Sequence, residues 1–118
     1  MRLIIGGAYQ GKATWAAENW KIEEFGAFPT AGKQGQCHLE AFSRDCTAQG
    51  VDPVARAQAL RPVWQDCVII SREVGSGVVP LSPEERKWRE DHGRLLQYLA
   101  REATCVVRVF CGLGEVLG

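Results

Sequence analysis

Short apolar runs alternate along the chain with longer segments of helical periodicity. Residues 3–5, 67–70 and 105–110 are the most apolar runs, and each predicts a strand. The run over residues 67–70 is the clearest and suits a strand buried on both faces of a parallel sheet. We predict one further strand over residues 37–42, with alternate side chains pointing to opposite faces.

Helices are predicted between these strands. Residues 12–20 are rich in alanine and follow the first strand directly. A second helix is expected over residues 53–60, with Asp52 as its cap and Pro53 at its first position. The glycines and proline within residues 21–36 predict a loop.

The helix that begins after Ser82 has the strongest signal. Ser82 is the expected cap, Pro83 takes the first helical position, and Glu85 has the spacing of a capping box. The apolar residues that then share one face at helical spacing are Trp88, Leu95, Leu96, Leu99 and Ala103. Strands that alternate with helices predict an α/β fold, with helices on both faces of a mostly parallel sheet.

Composition narrows the functional classes. The chain has 118 residues, which predicts one domain over 1–118, and it carries 14 basic and 14 acidic residues. Balanced charge argues against a general nucleic-acid-binding protein. No apolar run approaches the roughly 20 residues of a membrane helix, and the start is too short for a signal peptide, so we expect a cytoplasmic protein. The five cysteines lack the spacing of a zinc site and predict buried, free thiols.

A glycine-rich loop after the first strand predicts phosphate binding. Residues 6–12 match the pattern G-x-x-x-x-G-K between a strand and a helix, which is the context that this motif requires. Glycines let backbone N–H groups turn toward an anion, the helix N-terminus adds partial positive charge, and Lys12 adds a full charge. A glycine turn with a chance lysine is the less favoured alternative. The predicted nucleotide-binding residues are Gly6, Gly7, Ala8, Tyr9, Gln10, Gly11, Lys12, Ala13 and Thr14.

The residue after the lysine breaks the pattern. A serine or threonine hydroxyl coordinates Mg²⁺ there in P-loop proteins, but this chain has Ala13. Thr14 lies about 100° further around the helix, which is a poor direction for the same ion. Phosphate binding is therefore predicted, whereas metal-assisted phosphoryl transfer is expected to be impaired.

A second candidate group follows the 67–70 strand. Ligands of open parallel sheets bind beyond the carboxyl ends of the strands, so the loop over residues 71–80 should lie beside the phosphate loop. Glu73 in this loop could orient a metal-bound water or a substrate hydroxyl, which makes it a catalytic candidate together with Lys12. A solvated glutamate in a surface turn is an equally good interpretation from position alone.

Two motifs together resemble a known family. The N-terminal Gly-Gly-Ala-x-x-Gly-Lys is one, and the run Glu-Val-Gly-Ser-Gly-Val-Val-Pro over residues 73–80 is the more specific other. With Arg86 and residues 93–100, they resemble the bifunctional adenosylcobinamide kinase and adenosylcobinamide-phosphate guanylyltransferase of cobalamin biosynthesis. The likeness is good over 1–20 and 66–114. It implies a P-loop NTPase-like three-layer α/β fold, a trimer, a corrinoid substrate, and GMP transfer through a guanylylated histidine.

The chain departs from the resembled family in three places. Ala13 replaces the loop hydroxyl, and the segment that carries the guanylylated histidine is missing between residues 20 and 37. Glu40 takes the place of a metal-binding aspartate, which makes it a candidate Mg²⁺ ligand. His38, on the same strand face as Glu40, is expected to be structural, and His92 is expected to lie in the packing or on the surface.

These observations predict a shortened relative of that enzyme, which binds GTP or ATP and forms a homo-oligomer. We expect guanylyl transfer to be lost and kinase activity to depend on what Ala13 still permits. Two alternatives stay open. One is a non-catalytic nucleotide-binding or regulatory protein, and the other is a structural assembly subunit with an empty phosphate loop.

Overall fold

A computed structural model describes residues 1–7, 11–73 and 82–118. The strands in this part of the chain are β1 Arg2–Gly6, β2 Phe25–Ala27, β3 Gly35–Cys37, β4 Val68–Arg72, β5 Cys105–Phe110 and β6 Leu113–Val116. The helices are α1 Lys12–Trp20, α2 Leu39–Ala48, α3 Pro53–Ala59, α4 Arg61–Trp64 and α5 Pro83–Glu102.

One sheet contains the six strands in the order β2-β3-β4-β1-β5-β6. β1 to β5 pair in parallel, and β6 pairs with β5 in the antiparallel direction. Gly6 at the end of β1 is in register with Arg72, and Ile5 is in register with Arg108. The carboxyl ends of β1, β4 and β5 are therefore neighbours, which brings the first residues of the two predicted loops to one edge of the sheet.

Each face of the sheet has its own apolar core. Leu3 and Ile69 pack with α2, α3 and α5 on one face, in a cluster that includes the fully buried Trp64. Ile4 and Val107 pack with Ala16 of α1 on the other face. Alternate residues of β1 thus enter opposite cores, as the strand geometry requires. The predicted three-layer α/β fold with a mostly parallel sheet is confirmed.

The strand predicted over residues 37–42 is wrong. β3 ends at Cys37, His38 takes a left-handed conformation with φ of 57°, and α2 begins at Leu39. Leu39, Ser43 and Cys46 are the buried residues of this helix, and their spacing of four and three residues is helical. The loop predicted over 21–36 also contains β2 and the first residues of β3.

The helix starts predicted from capping residues are confirmed. Ser82 accepts a hydrogen bond from the Glu85 N–H, and Asp52 accepts one from the Val54 N–H. The Glu85 carboxylate pairs with Arg44 of α2 at 2.6 Å. No helix in the described ranges is long and apolar enough to cross a membrane.

A buried aspartate ties α5 to α2 and α3. Asp91 accepts hydrogen bonds from Thr47, Lys87 and Arg94, and Arg94 also reaches Asp52 at the start of α3. Burial alone would raise the pKa of Asp91, but these hydrogen bonds lower it below its ordinary value. These contacts hold α5 against α2, and the two helices supply His92 and Glu40 respectively.

Candidate functional site

The phosphate loop contains two glycines that disfavour a side chain for different reasons. A Cβ on Gly6 would lie 2.5 Å from the carbonyl oxygen of Val109 on the neighbouring strand. Gly11 precedes α1 in a left-handed conformation with φ of 82°, which strongly favours glycine. The predicted contacts of Ala8, Tyr9 and Gln10 fall outside the described residues.

Lys12 lies at the first turn of α1 and points back to its own loop. Its Nζ donates a hydrogen bond to the Gly7 carbonyl oxygen at 2.8 Å. Burial lowers the pKa of Lys12, nearby Glu40 opposes this effect, and Arg72 adds to it. The side chains of Ala13 and Thr14 are exposed on the helix that follows.

Glu40 lies in the first turn of α2 and reaches the end of β4. Its Oε1 accepts hydrogen bonds from the Arg72 N–H and, at 3.5 Å, from Ser71 Oγ. Burial lowers the pKa of Lys12 and a Coulombic interaction with Glu40 acts to raise it, so the two predicted residues lie near each other at this edge of the sheet. The sequence placed Glu40 on a strand, whereas a helix brings it to this edge.

Glu73 also lies at this edge of the sheet, immediately after β4, where it contacts β1 and β5. Its N–H donates to the Gly6 carbonyl oxygen at 3.0 Å, and its carboxylate pairs with Arg108 of β5 at 2.9 Å. Both residues line a cleft of about 550 Å³, together with Gly7, Val109, Phe110 and Glu115. The rest of the motif, residues 74–80, lies outside the described ranges.

Arg108 was not among the sequence-predicted site residues, although a signal for it existed. It is the charged residue within the apolar run of β5, where Val107 and Val109 are buried on either side of it. A charge in an otherwise apolar strand that ends at the ligand edge is a reason to expect a polar partner there. That partner is Glu73.

His92 is buried in a polar network. Its Nδ1 lies 2.7 Å from Ser43 Oγ and its Nε2 lies 3.1 Å from Ser71 Oγ. Burial lowers the pKa of His92, so the ring is neutral at pH 7. The sequence indicated packing or surface for this residue and gave no indication of its two serine partners.

His38 differs from its predicted environment. It was expected to be a structural histidine in a strand, but its side chain is exposed at the junction of β3 and α2. This junction is at the carboxyl end of a parallel strand, two residues before Glu40.

The acidic groups of the site are dispersed. Within the described ranges, no cluster of three or more His, Cys, Asp or Glu side chains could hold a metal ion. Mg²⁺ is commonly held by one or two carboxylates together with substrate phosphates and waters, so a single carboxylate such as that of Glu40 suits it. The five cysteines form no disulfide, as predicted. Their predicted burial is confirmed for Cys46 alone, since Cys111 is exposed and the other three are partly exposed.

A family model described as cobinamide kinase / cobinamide phosphate guanyltransferase matches residues 38–117. The chain belongs to this family. The match covers more than half of the chain and includes Glu40, Glu73, His92 and Arg108. A search among curated proteins found no match.

The matched range differs from the range expected from motifs. It includes residues 66–114 and extends back through the middle of the chain to His38, a region where little likeness was expected. It does not include residues 1–20, so the phosphate loop lies before the matched segment. Phosphate binding at that loop is therefore supported by its sequence and geometry and not by the family match.

Proposed function

We propose that this single-domain member of the cobinamide kinase family binds the phosphates of GTP or ATP at residues 6–14. The observation that carries the proposal is the contact of Lys12 with the Gly7 carbonyl oxygen at 2.8 Å, inside a loop framed by two glycines. A phosphate oxygen is a stronger acceptor for an ammonium group than a neutral carbonyl. Nucleotide would thus replace the contact that Lys12 makes with its own loop.

The carboxylates have different roles in the proposed site. Glu40 faces Lys12 and would hold Mg²⁺ together with phosphate oxygens and water. When bound, that ion would neutralise charge on the phosphates. Glu73 would orient the acceptor hydroxyl after its release from Arg108. The proposed acceptor is a corrinoid side-chain hydroxyl, which corresponds to the kinase activity of the family.

Calorimetry with GTP and with ATP tests the nucleotide site. Lys12→Ala should weaken binding at least tenfold, because the variant loses a charge-assisted contact. Lys33→Ala is the matched control, since Lys33 pairs with Glu24 on the surface away from the loop. Equal affinity of the wild type and Lys12→Ala would contradict the proposal, as would an equal loss in the Lys33 variant.

A non-catalytic nucleotide-binding protein is the second candidate. Ala13 favours it, because the protein offers no hydroxyl at the position that holds Mg²⁺ in P-loop enzymes. A turnover assay with Mg²⁺, nucleotide and cobinamide separates the candidates. Phosphorylated cobinamide supports the kinase, whereas nucleotide binding without any product supports the regulatory alternative.

Guanylyl transfer is proposed to be lost, because the segment expected to carry the nucleophilic histidine is absent between residues 20 and 37. The exposure of His38 at the site edge is the observation that favours the opposite view. Intact mass spectrometry after incubation with GTP should show no added GMP. A stable GMP adduct that disappears in His38→Ala would establish His38 as the nucleophile and overturn this part of the proposal.

We also propose that the chain forms a homo-oligomer, with a trimer as the specific expectation. Four large apolar side chains are exposed on and beside the edge strand β6, namely Phe110, Leu113, Val116 and Leu117. Exposed apolar surface on an edge strand favours association. Light scattering coupled to size-exclusion chromatography should give a mass of three chains, and a monomer at micromolar concentration would contradict this.

A further inference from the structure

We propose that His92 is a positioning residue that holds the Glu40 carboxylate at the phosphate loop by acting through Ser71. The inference rests on the proposed nucleotide site for its functional consequence. Its structural content, that His92 fixes Glu40, is independent of whether nucleotide binds.

The three residues that form the centre of this network have no exposed surface. His92, Ser43 and Ser71 are each 0% exposed, and they belong to α5, α2 and β4 respectively. Nε2 of His92 lies 3.1 Å from Ser71 Oγ and 3.4 Å from the Arg72 carbonyl oxygen. One imidazole ring thus cross-links two helices to the end of the strand that precedes the site.

The surrounding groups assign the ring tautomer. The Arg72 carbonyl oxygen can only accept, so Nε2 carries the hydrogen and Nδ1 accepts from Ser43 Oγ at 2.7 Å. The Trp88 indole N–H donates to Ser43 Oγ at 2.9 Å, which leaves the serine hydrogen for His92. The donors therefore run in one direction, from Trp88 through Ser43 and His92 to the end of β4.

Glu40 receives its hydrogen bonds from the same two residues that His92 contacts. Ser71 Oγ and the Arg72 N–H both donate to Glu40 Oε1, while His92 binds Ser71 Oγ and the Arg72 carbonyl. A shift of the strand end would move both donors together. The ring thus acts on the position of the carboxylate through Ser71 and Arg72.

The serines do not need His92 for their own hydrogen bonds. Ser43 Oγ has a second acceptor in the Glu40 carbonyl oxygen at 3.1 Å, and Ser71 Oγ donates its hydrogen to Glu40 Oε1 and not to the ring. Replacement of His92 would leave no hydroxyl unpaired, so the hydroxyls alone do not explain a histidine here. Among the contacts described, the one that only the ring supplies is the hydrogen-bonded link from α5 to the end of β4.

Two amide variants separate the two sides of the ring. His92→Asn places its amide near the Nδ1 position and keeps a partner for Ser43, but it is too short to reach Ser71. His92→Gln extends to the Nε2 position and can donate to Ser71 or to the Arg72 carbonyl. Tyr98→Phe is the control, because Tyr98 is buried on the same helix and its hydroxyl contacts Arg61 away from the site.

The Arg72 amide proton reports on Glu40 in the protein without nucleotide. Its NMR resonance should move upfield in His92→Asn by most of the shift seen in Glu40→Gln, return in His92→Gln, and stay unchanged in Tyr98→Phe. An unchanged resonance in His92→Asn would overturn the proposal. If that variant does not fold, His92→Phe, which keeps a ring without hydrogen-bonding atoms, is measured instead and carries the same two outcomes.

Nucleotide affinity tests the functional consequence. In His92→Asn we expect affinity in excess Mg²⁺ to fall at least threefold and affinity in EDTA to stay within twofold, with recovery in His92→Gln. Equal losses under both conditions would mean a general structural role and would overturn the inference. A wild type that binds no nucleotide would instead overturn the proposed function, while the Arg72 resonance would still decide whether His92 positions Glu40.

Discussion

The two carboxylates at the carboxyl edge of the sheet are held in different ways. Glu40 accepts hydrogen bonds from Ser71 and from the Arg72 N–H, beside a polar network whose centre is fully buried. Glu73 pairs with Arg108 in an open cleft, where the two side chains are 36% and 51% exposed. One acid is fixed by the fold, and the other is held by a partner that solvent or an anion can replace.

The different ways in which Glu40 and Glu73 are held fit the different roles proposed for them. A carboxylate that holds a metal ion gains from preorganisation, because fixed groups need no rearrangement when charge develops. An exposed ion pair contributes little to stability and is screened by salt, so it can open at small cost. Arg108 would then become available to a phosphate as Glu73 turns to its substrate.

Removal of the fixed carboxylate should give the largest effect on stability. Glu40→Ala leaves the Arg72 N–H without its charged acceptor, and hydrogen bonds to charged groups contribute about 1.5 to 3 kcal/mol. We expect the free energy of unfolding in urea to fall by that amount. Glu24→Ala, at an exposed surface pair, should change it by less than about 0.5 kcal/mol. Similar values for both variants would remove the proposed distinction between a fixed and a surface carboxylate.

The network behind Glu40 should make stability depend on pH. The pKa of His92 in the folded protein is lower than in the unfolded chain, where it is about 6.5. As pH falls below that value, the unfolded state takes up a proton first, and stability decreases until the pH passes the folded pKa. The slope contributed by one proton cannot exceed about 1.4 kcal/mol per pH unit.

His92→Gln should flatten the dependence between pH 7 and pH 5, whereas Asn19→Gln, an exposed substitution that changes no titratable group, should leave it unchanged. Urea titrations at several pH values measure both. A wild-type curve as flat as that of His92→Gln would show that the buried ring is not the source of acid sensitivity.

The sequence predicted the parts of this site that depend on local patterns. Lys12 and Glu73 follow apolar strands, and the parallel sheet then brings such residues together by a general rule. Ser82 and Asp52 identified helix starts because capping is a contact between near neighbours in sequence.

The parts that sequence reasoning missed depend on contacts between distant segments. Ser43, Ser71 and His92 lie on three different elements, and no spacing in the chain relates them. The error over residues 37–42 has a local cause, since Cys37, Leu39 and Ala41 alternate as in a strand, whereas Leu39 and Phe42 have the spacing of a helix. Leu39 and Cys46 are both buried when this segment is helical, and their tertiary packing stabilises the helix over a strand.

A hydroxyl at residue 13, next to Lys12, should make nucleotide binding depend more strongly on Mg²⁺. In the wild type, Ala13 offers no metal ligand, and Mg²⁺ can fill the vacancy with water. Ala13→Ser adds a ligand at an exposed position without crowding the core. We expect Mg²⁺ to strengthen nucleotide binding about threefold more in the variant than in the wild type, measured in EDTA and in excess Mg²⁺.

The same magnesium effect in both proteins would mean that the loop does not hold phosphate in the P-loop manner or that Thr14 already serves as the ligand. Thr14→Val separates these two explanations. It removes the magnesium effect only if the Thr14 hydroxyl is the ligand.

The ion pair between Glu73 and Arg108 should give the smallest effect on stability. Three contacts between 2.9 and 3.2 Å join the two side chains, but their exposure means that water and salt compete for both charges. A double-mutant cycle with Glu73→Gln and Arg108→Gln should give a coupling energy of about 0.5 kcal/mol or less at 0.15 M salt. A coupling above about 1.5 kcal/mol would mean that the pair is as firmly fixed as Glu40. The proposal that Arg108 can leave Glu73 and bind a phosphate would then be wrong, because the phosphate would have to break a strong ion pair first.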